Sequence, residues 1–239
     1  MSSLPLADAL PLVRFHGSQL ESRPMLLLGH RGSRGLGPAR ENTLAAFDLA
    51  LEHGCNGFEF DVRLTCDGIG VVCHNPTFGR QRISKTAASR LPALPTLRAV
   101  LERYSPIGFL DIELKVPGVE SQLHRLLSRH SPKKGFVVSS FQPGILLEFE
   151  RLDSTVPLGL ICESARQLRR WRELPIECVV AHRSLTTRRL LDEVHDAGKH
   201  LYVWTVNRAS DMVRLAEWGV DGIISDRTDA LGRTLRPGR

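Results

Sequence analysis

The feature that most constrains the fold is a repeated alternation: from Met25 onward, short β-rich runs are each followed by a helical pattern, and eight such strands can be counted. The strand candidates are Met25–Gly32, a run from Phe58 through Arg63, Gly108–Lys115, Phe136–Phe141, Val156–Ile161, Glu177–Ala181, His200–Asn207 and Gly222–Ser225. Between them, helical spacing predicts helices over Leu44–Leu51, Thr96–Tyr104, Val119–His130, Pro143–Arg151, Ala165–Glu173, Thr187–Ala197 and Ser210–Trp218, with a short helix after the last strand. Regular β–α alternation requires crossover connections, and so a parallel sheet. A total of 239 residues suits an α/β fold of the (β/α)8 TIM-barrel type. An open doubly wound sheet would favour a G-x-G-x-x-G turn after the first strand, and GHRGSRGLG does not carry that spacing.

Composition narrows the function classes. The chain is 42% hydrophobic and 24% charged, ordinary for one globular domain over 1–239, with residues 1–24 a leader of uncertain structure. No apolar run approaches the ~20 residues that cross a bilayer. The opening also lacks a basic start followed by an apolar core, so no secretory signal is expected. Five cysteines, odd in number and without a C-x-x-C pair, point to reduced thiols, a cytoplasmic location and no zinc site. A formal charge of +6 favours anionic partners and is compatible with weak contact at a membrane surface. The arginines are dispersed, and no zinc-finger or RNA-recognition signature accompanies them, so nucleic acid is not expected. Nothing in the sequence bears on oligomeric state.

The chemistry centres on FEFDVRLTCDGIGVVCHN, Phe58 to Asn75. Side chains alternate along a strand, so Phe58, Phe60 and Val62 share one face while Glu59, Asp61 and Arg63 share the other. In the third strand Leu110, Ile112 and Leu114 share the outward face, and Asp111, Glu113 and Lys115 the inward one. Glu113 is therefore expected beside Glu59 and Asp61. Three carboxylates without a cysteine suit a hard, oxygen-preferring cation, Mg²⁺ or Ca²⁺. The competing reading is a buried salt-bridge cluster with Lys115 or Arg31. Asp67-Gly68 marks a hairpin whose second arm, Ile69–Cys73, ends at His74 and returns it toward the acids. His30 closes the first strand on the other side. Two imidazoles can serve as general base and general acid. Arg31 and Lys115 are natural phosphate clamps, though for Lys115 a simple counter-ion role is an equal alternative. One metal, two imidazoles and two cations suggest a phosphodiester substrate. His16, His53, His124, His130, His195 and His200 are read as structural or surface residues, and His182 is left open. Residues 76–95, with Arg80, Arg82, Lys85 and Arg90, are read as an irregular basic lid or surface loop, a short insertion after the second strand.

GHRG (Gly29–Gly32), ENTLAAF (Glu41–Phe47), the Phe58–Asn75 stretch, DIELK (Asp111–Lys115), SSFQP (Ser139–Pro143), WTVN (Trp204–Asn207) and VDGIISD (Val220–Asp226), in this order, resemble the glycerophosphodiester phosphodiesterase family over most of the chain. The resemblance implies a TIM barrel that uses a divalent cation to cleave glycerophosphodiesters to glycerol 3-phosphate and an alcohol. It implies His30 and His74 as the acid–base pair, Glu59, Asp61 and Glu113 as metal ligands, and Arg31 and Lys115 near the phosphate. Trp204 is implied in the glycerol pocket, and Glu41 and Asn42 match a family motif beside the site; Asn75 and Asn207 are read as near the site without an assigned role. It also implies that the glycerol 2-hydroxyl can attack first, giving a cyclic phosphate. Two departures stand out: Asn75 occupies a place where the family usually has Asp, and the insertion is shorter and more basic than usual. The alternatives carried forward are a lysophospholipase D-like enzyme at a lipid surface and a non-catalytic phosphoester-binding barrel.

Overall fold

The computed structural model describes residues 24–34 and 40–236. His16 and most of the expected leader lie outside the described residues, as do residues 35–39 of the glycine-rich loop and the last three residues of the chain. The strands are β1 (Leu26–Gly29), β2 (Gly57–Leu64), β3 (Gly70–Val72), β4 (Thr77–Phe78), β5 (Gln81–Arg82), β6 (Phe109–Leu114), β7 (Phe136–Ser140), β8 (Leu158–Cys162), β9 (Cys178–His182), β10 (His200–Trp204) and β11 (Gly222–Ser225). The helices are α1 (Leu44–Glu52), α2 (Leu97–Tyr104), α3 (Glu120–Arg129), α4 (Pro143–Leu152), α5 (Ala165–Leu168), α6 (Arg188–Asp196), α7 (Ala209–Trp218) and α8 (Thr228–Leu235).

β1 pairs in parallel with both β2 and β11, so the sheet closes on itself. The main sheet has nine strands, and removing the antiparallel β3 leaves the eight parallel strands of a closed (β/α)8 barrel. Alternation sorts the two faces as expected. Outside the barrel, Phe58 stacks on Phe47 of α1 with ring centroids 4.1 Å apart. Tyr104 of α2 meets the edge of that stack, 4.9 Å from Phe58. The Tyr104 hydroxyl donates to Leu44 O at 2.8 Å and to Asp48 Oδ1 at 2.7 Å, so its polar tip is satisfied inside the layer. Inside the barrel, Leu28, Phe109, Val137, Ile161, Val180, Tyr202 and Ile224 form an apolar plug. Polar groups are left to the carboxyl ends of the strands. Gly57 allows close packing at the β2–β6 seam, where a Cβ would lie 1.8 Å from Phe109 O.

Threonine hydroxyls at Thr43, Thr96 and Thr187 accept from the third amide of α1, α2 and α6, contributing about 1 kcal/mol each. The expected helix over Ala165–Glu173 is shorter: α5 ends at Leu168, and a separate 3-10 turn covers Trp171–Glu173. That stretch carries Arg166, Arg169, Arg170 and Arg172, leaving Leu168 and Trp171 to face the core, too little apolar surface to hold a longer helix. β1 stops at Gly29 rather than Gly32, because Arg31 and Gly32 take left-handed backbone angles (φ 54° and 79°) and turn the chain. β10 likewise stops at Trp204 rather than at Asn207.

β2 is longer than a barrel strand requires. Its last residues leave the barrel and pair antiparallel with β3, Val62 opposite Val72 and Leu64 opposite Gly70. Glu59 and Asp61 therefore sit mid-strand. Residues 76–95 are more ordered than expected. They contain the β4–β5 hairpin and two 3-10 turns, and bury Ile83 and Leu91 against Val71 and Cys73. Arg80, Arg82, Lys85 and Arg90 are all exposed.

Candidate active site

The β2–β6 register sets Glu59 beside Asp111 and Asp61 beside Glu113. All four carboxyl groups are buried, at 4%, 0%, 0% and 5% exposure for Glu59, Asp61, Asp111 and Glu113. One oxygen each from Glu59, Asp61 and Glu113 lies within 4.8 Å of the others. Glu59 Oε1, Asp61 Oδ1 and Glu113 Oε1 are buried without a hydrogen-bond partner. Orphaned anionic oxygens cost several kcal/mol unless something positive meets them. Lys115 Nζ stands 2.8 Å from Asp61 Oδ1 and 2.5 Å from Glu113 Oε1, but at angles that leave these oxygens without a well-directed hydrogen bond. Arg31 Nε is 3.3 Å from Asp61 Oδ2. A ring of converging, under-satisfied carboxylate oxygens is a donor set that a hard divalent cation fits.

The electrostatics follow from burial and mutual repulsion. Glu59 is raised well above the ordinary glutamate value by desolvation, then by the charges of Asp61, Glu113 and Asp111. Glu113 is pushed up to about 8, by desolvation against the opposing pull of Lys115. Asp111 is pushed up to about 7 by desolvation, although Ser139 Oγ donates to its Oδ1 at 2.5 Å. Asp61 goes the other way: burial raises it, but the charges of Lys115 and Arg31, with the hydrogen bond from Asn42, outweigh burial and lower it.

Two residues at positive φ shape the wall. Arg31 at 54° and Asn42 at 59° are not glycines, and such angles cost about 1–2 kcal/mol each. They are held by reciprocal contacts. Arg31 N donates to Glu59 Oε2 at 2.9 Å, and Asn42 N donates to Arg31 O at 3.0 Å. Asn42 Nδ2 donates to Asp61 Oδ2 at 2.7 Å, while Asp61 N donates to Asn42 Oδ1 at 3.2 Å. Glu41 sits behind, 3.0 Å from Arg31 and 2.6 Å from Arg34.

The histidines flank this ring. His30 follows β1, with Nε2 3.9 Å from Glu59 Oε2 and Nδ1 2.7 Å from Asp226 Oδ1. His74 follows β3. Its neighbour Cys73 donates its amide to Asp61 O at 2.9 Å, and Arg63 Nε donates to His74 O at 2.8 Å. His74 Nδ1 lies 3.1 Å from Asn75 Oδ1. Its pKa is lowered, first by burial, with Asp61 opposing and Arg31 and Lys115 adding to the fall. Trp204, Phe141 and His182 line the rim beyond. Trp204 is 6.4 Å from the His30 ring, 5.7 Å from Phe141 and 5.3 Å from His182. Lys115 Nζ lies 5.5 Å from the Phe141 ring centre.

The structure thus brings His30, His74, Arg31, Lys115, Trp204, Glu59, Asp61, Glu113, Glu41, Asn42, Asn75 and Asn207 to one end of the barrel. His53, His124, His130, His195 and His200 have partners elsewhere: Thr228, Asp153, Glu102, and Asp221 for the last two. Sequence reasoning missed Asp226 and gave Asp111 no role. Asp226 directly follows β11, and only the pairing of β11 with β1 brings it to His30.

A family model described as "Glycerophosphoryl diester phosphodiesterase family" matches residues 30–230. The YhdW protein of Bacillus subtilis (strain 168) is 32% identical, over 86% of this chain and 96% of its own length. A glycerophosphodiester phosphodiesterase of Caldanaerobacter subterraneus subsp. tengcongensis is 30% identical, over 89% of this chain and 98% of its own. Among solved structures, an Oleispira antarctica phosphodiesterase in complex with the product sn-glycerol-3-phosphate superposes with a TM-score of 0.78 at 26% identity, covering 88% of this chain and 96% of that one.

Proposed function

The chain belongs to the glycerophosphoryl diester phosphodiesterase family, and from that premise we propose that it hydrolyses glycerophosphodiesters to glycerol 3-phosphate and an alcohol. The observation that carries the reading is the set of three buried carboxylates, Glu59, Asp61 and Glu113, whose oxygens converge within 4.8 Å of one another between His30 and His74.

Glu59, Asp61 and Glu113 would hold one divalent cation; all-oxygen donors suit Mg²⁺ or Ca²⁺. When bound, such an ion polarises a non-bridging phosphoryl oxygen and spreads the negative charge that builds up during the displacement. The chain's own groups do the rest. Arg31 and Lys115 set a positive field where the phosphate docks and hold Asp61 ionised. One imidazole removes the proton from the attacking hydroxyl, which is that of water or the glycerol 2-hydroxyl, and the other protonates the departing alkoxide, so the proton count balances. The lowered pKa of His74 keeps it neutral at physiological pH, a state able to accept a proton. Trp204, with Phe141 beside it, offers an apolar wall for the glycerol carbons.

The unit is taken as one barrel domain spanning residues 1–239. All five cysteines are free, which fits a reducing, cytoplasmic compartment, and no helix among the described residues is long and apolar enough to cross a membrane. The insertion at residues 76–95, whose four charged residues are all basic and exposed, favours one second reading, lysophospholipase D-like action at an anionic lipid surface. A single assay tests both. The protein is offered glycerophosphocholine, glycerophosphoethanolamine and lysophosphatidylcholine with Mg²⁺, Ca²⁺ or chelator. Metal-dependent release of glycerol 3-phosphate supports the main reading, and release of lysophosphatidic acid supports the second. Binding without turnover of any diester would reduce the protein to a phosphoester-binding barrel.

A further inference from the structure

We infer that Asp226 is a positioning residue for His30, fixing the imidazole so that Nε2 is the nitrogen presented to the reacting phosphodiester. The inference rests on the proposed diesterase activity for its catalytic meaning, but its structural content stands by itself.

An ionised carboxylate only accepts hydrogen bonds, so the 2.7 Å contact between His30 Nδ1 and Asp226 Oδ1 requires the proton on Nδ1. The neutral ring then has a bare Nε2. That atom's closest acidic neighbour, Glu59 Oε2, is 3.9 Å away, beyond hydrogen-bond distance, so Nε2 remains available. Asp226 is itself held on its remaining sides. Asn207 Nδ2 donates to Asp226 Oδ2 at 2.8 Å, and Asn207 Oδ1 accepts from Asp226 N at 2.9 Å and from Ser225 Oγ at 3.1 Å. His30 N donates to Ser225 O at 2.9 Å, so imidazole and carboxylate are anchored on the two strands that meet at the barrel's closing seam. The arrangement Asn207–Asp226–His30, with Asp226 partly buried, follows the logic by which a partner carboxylate selects tautomer and ring orientation for a reacting histidine. The two histidines are therefore held unequally. His30 leans on a charged carboxylate reached across 196 positions of sequence, whereas His74 leans on the neutral amide of the residue that follows it. A carboxylate stabilises an imidazolium formed during turnover, and an amide does so only weakly.

The test is Asp226→Asn. Asn207 Nδ2 still seeks an acceptor, so the new amide turns its oxygen toward Asn207 and its NH2 toward His30 Nδ1. Nδ1 must then accept, and the ring is driven to the Nε2–H form. The expected result is a fall in kcat of about 10²-fold or more, with KM moving less than ~3-fold. Ring nitrogen NMR should show the His30 proton moving from Nδ1 to Nε2, with the His74 ring resonances unmoved. Asn207→Ala, which keeps the carboxylate but frees it, should give a smaller fall in kcat without the switch in tautomer. It serves as the measurement if Asp226→Asn does not fold. The inference is overturned if the Asp226→Asn protein keeps the wild-type kcat, if its His30 proton stays on Nδ1, or if Asn207→Ala leaves kcat at the wild-type value. A wild-type protein that turns over no glycerophosphodiester, yet shows the tautomer switch on substitution, would sink the proposed substrate while leaving the positioning role intact.

Discussion

Lys115 is the residue on which the charge balance of the site turns, and Lys115→Met isolates that role. Methionine keeps most of the aliphatic stem and removes the ammonium. Four buried carboxyl groups, Glu59, Asp61, Asp111 and Glu113, are then left with Arg31 close by and Arg63 at longer range. Arg31 touches Asp61 and Glu41, so Glu113 loses its close cation. Removing one partner of a buried ion pair typically costs about 3–5 kcal/mol. Part of that is relieved here, because Glu113 already titrates at about 8 and takes up a proton more readily once Lys115 is gone. The lower end, ~3 kcal/mol, is therefore expected, which for a domain of this size lowers Tm by on the order of 10 °C. The assay is thermal unfolding of wild type and variant in chelator and again with excess Mg²⁺ or Ca²⁺. In chelator the variant should melt on the order of 10 °C below wild type. The divalent cation should raise the variant's Tm more than the wild type's, since the emptier site is more negative. If the two proteins melt within ~2 °C of each other in chelator, Lys115 is not what offsets the acids, and the electrostatic reasoning fails with it.

Three further outcomes are expected. His30→Ala and His74→Ala should each lower the steady-state hydrolysis rate by about 10²-fold or more, and near-normal turnover in either would remove that residue from acid–base duty. Glu59→Gln, Asp61→Asn and Glu113→Gln should each weaken divalent-cation affinity in titration calorimetry by about 10-fold or more; unchanged affinity in all three would rule out this cluster as the metal site. In chelator, stability should fall as pH rises from ~4 toward ~8. Asp111 and Glu113 titrate at about 7 and about 8 in the folded protein against ~4 when unfolded. The native state therefore holds more protons across that window, and stability is lost as pH rises through the folded values. A Tm in chelator that climbs over the same range would contradict the assigned burial of these acids.

The carboxylate ring was legible because it depends on one short-range rule. Period-two alternation in β2 and β6 put Glu59, Asp61 and Glu113 on the barrel's interior face, and parallel neighbours then brought them together. His74 was legible through the Asp67-Gly68 turn. Asp226 was not, because its contact with His30 exists only once the last strand closes against the first. The left-handed angles at Arg31 and Asn42 were hidden for a different reason: neither is a glycine, and only the clamp of Asn42 on Asp61 and of Arg31 N on Glu59 makes those angles tolerable. The early end of the first strand follows from the same turn. The broken helix after Ser164 reflects a sequence whose helical spacing was adequate but whose apolar face was too small.

The departure of β2 from the barrel has a consequence for how such a protein can diversify. His74 is tethered by Cys73 to Asp61 and by its own carbonyl to Arg63, and the stretch that follows leans back on the same hairpin, Pro95 O accepting from Val72 N and Thr86 O from Cys66 N. Residues 76–95 are thus seated by main-chain hydrogen bonds and by buried Ile83 and Leu91, not by their charges. The exposed charges, Arg80, Arg82, Lys85 and Arg90, can change while those anchors keep the segment in place. Variation can then accumulate on that outer face without disturbing the main-chain contacts that hold His74.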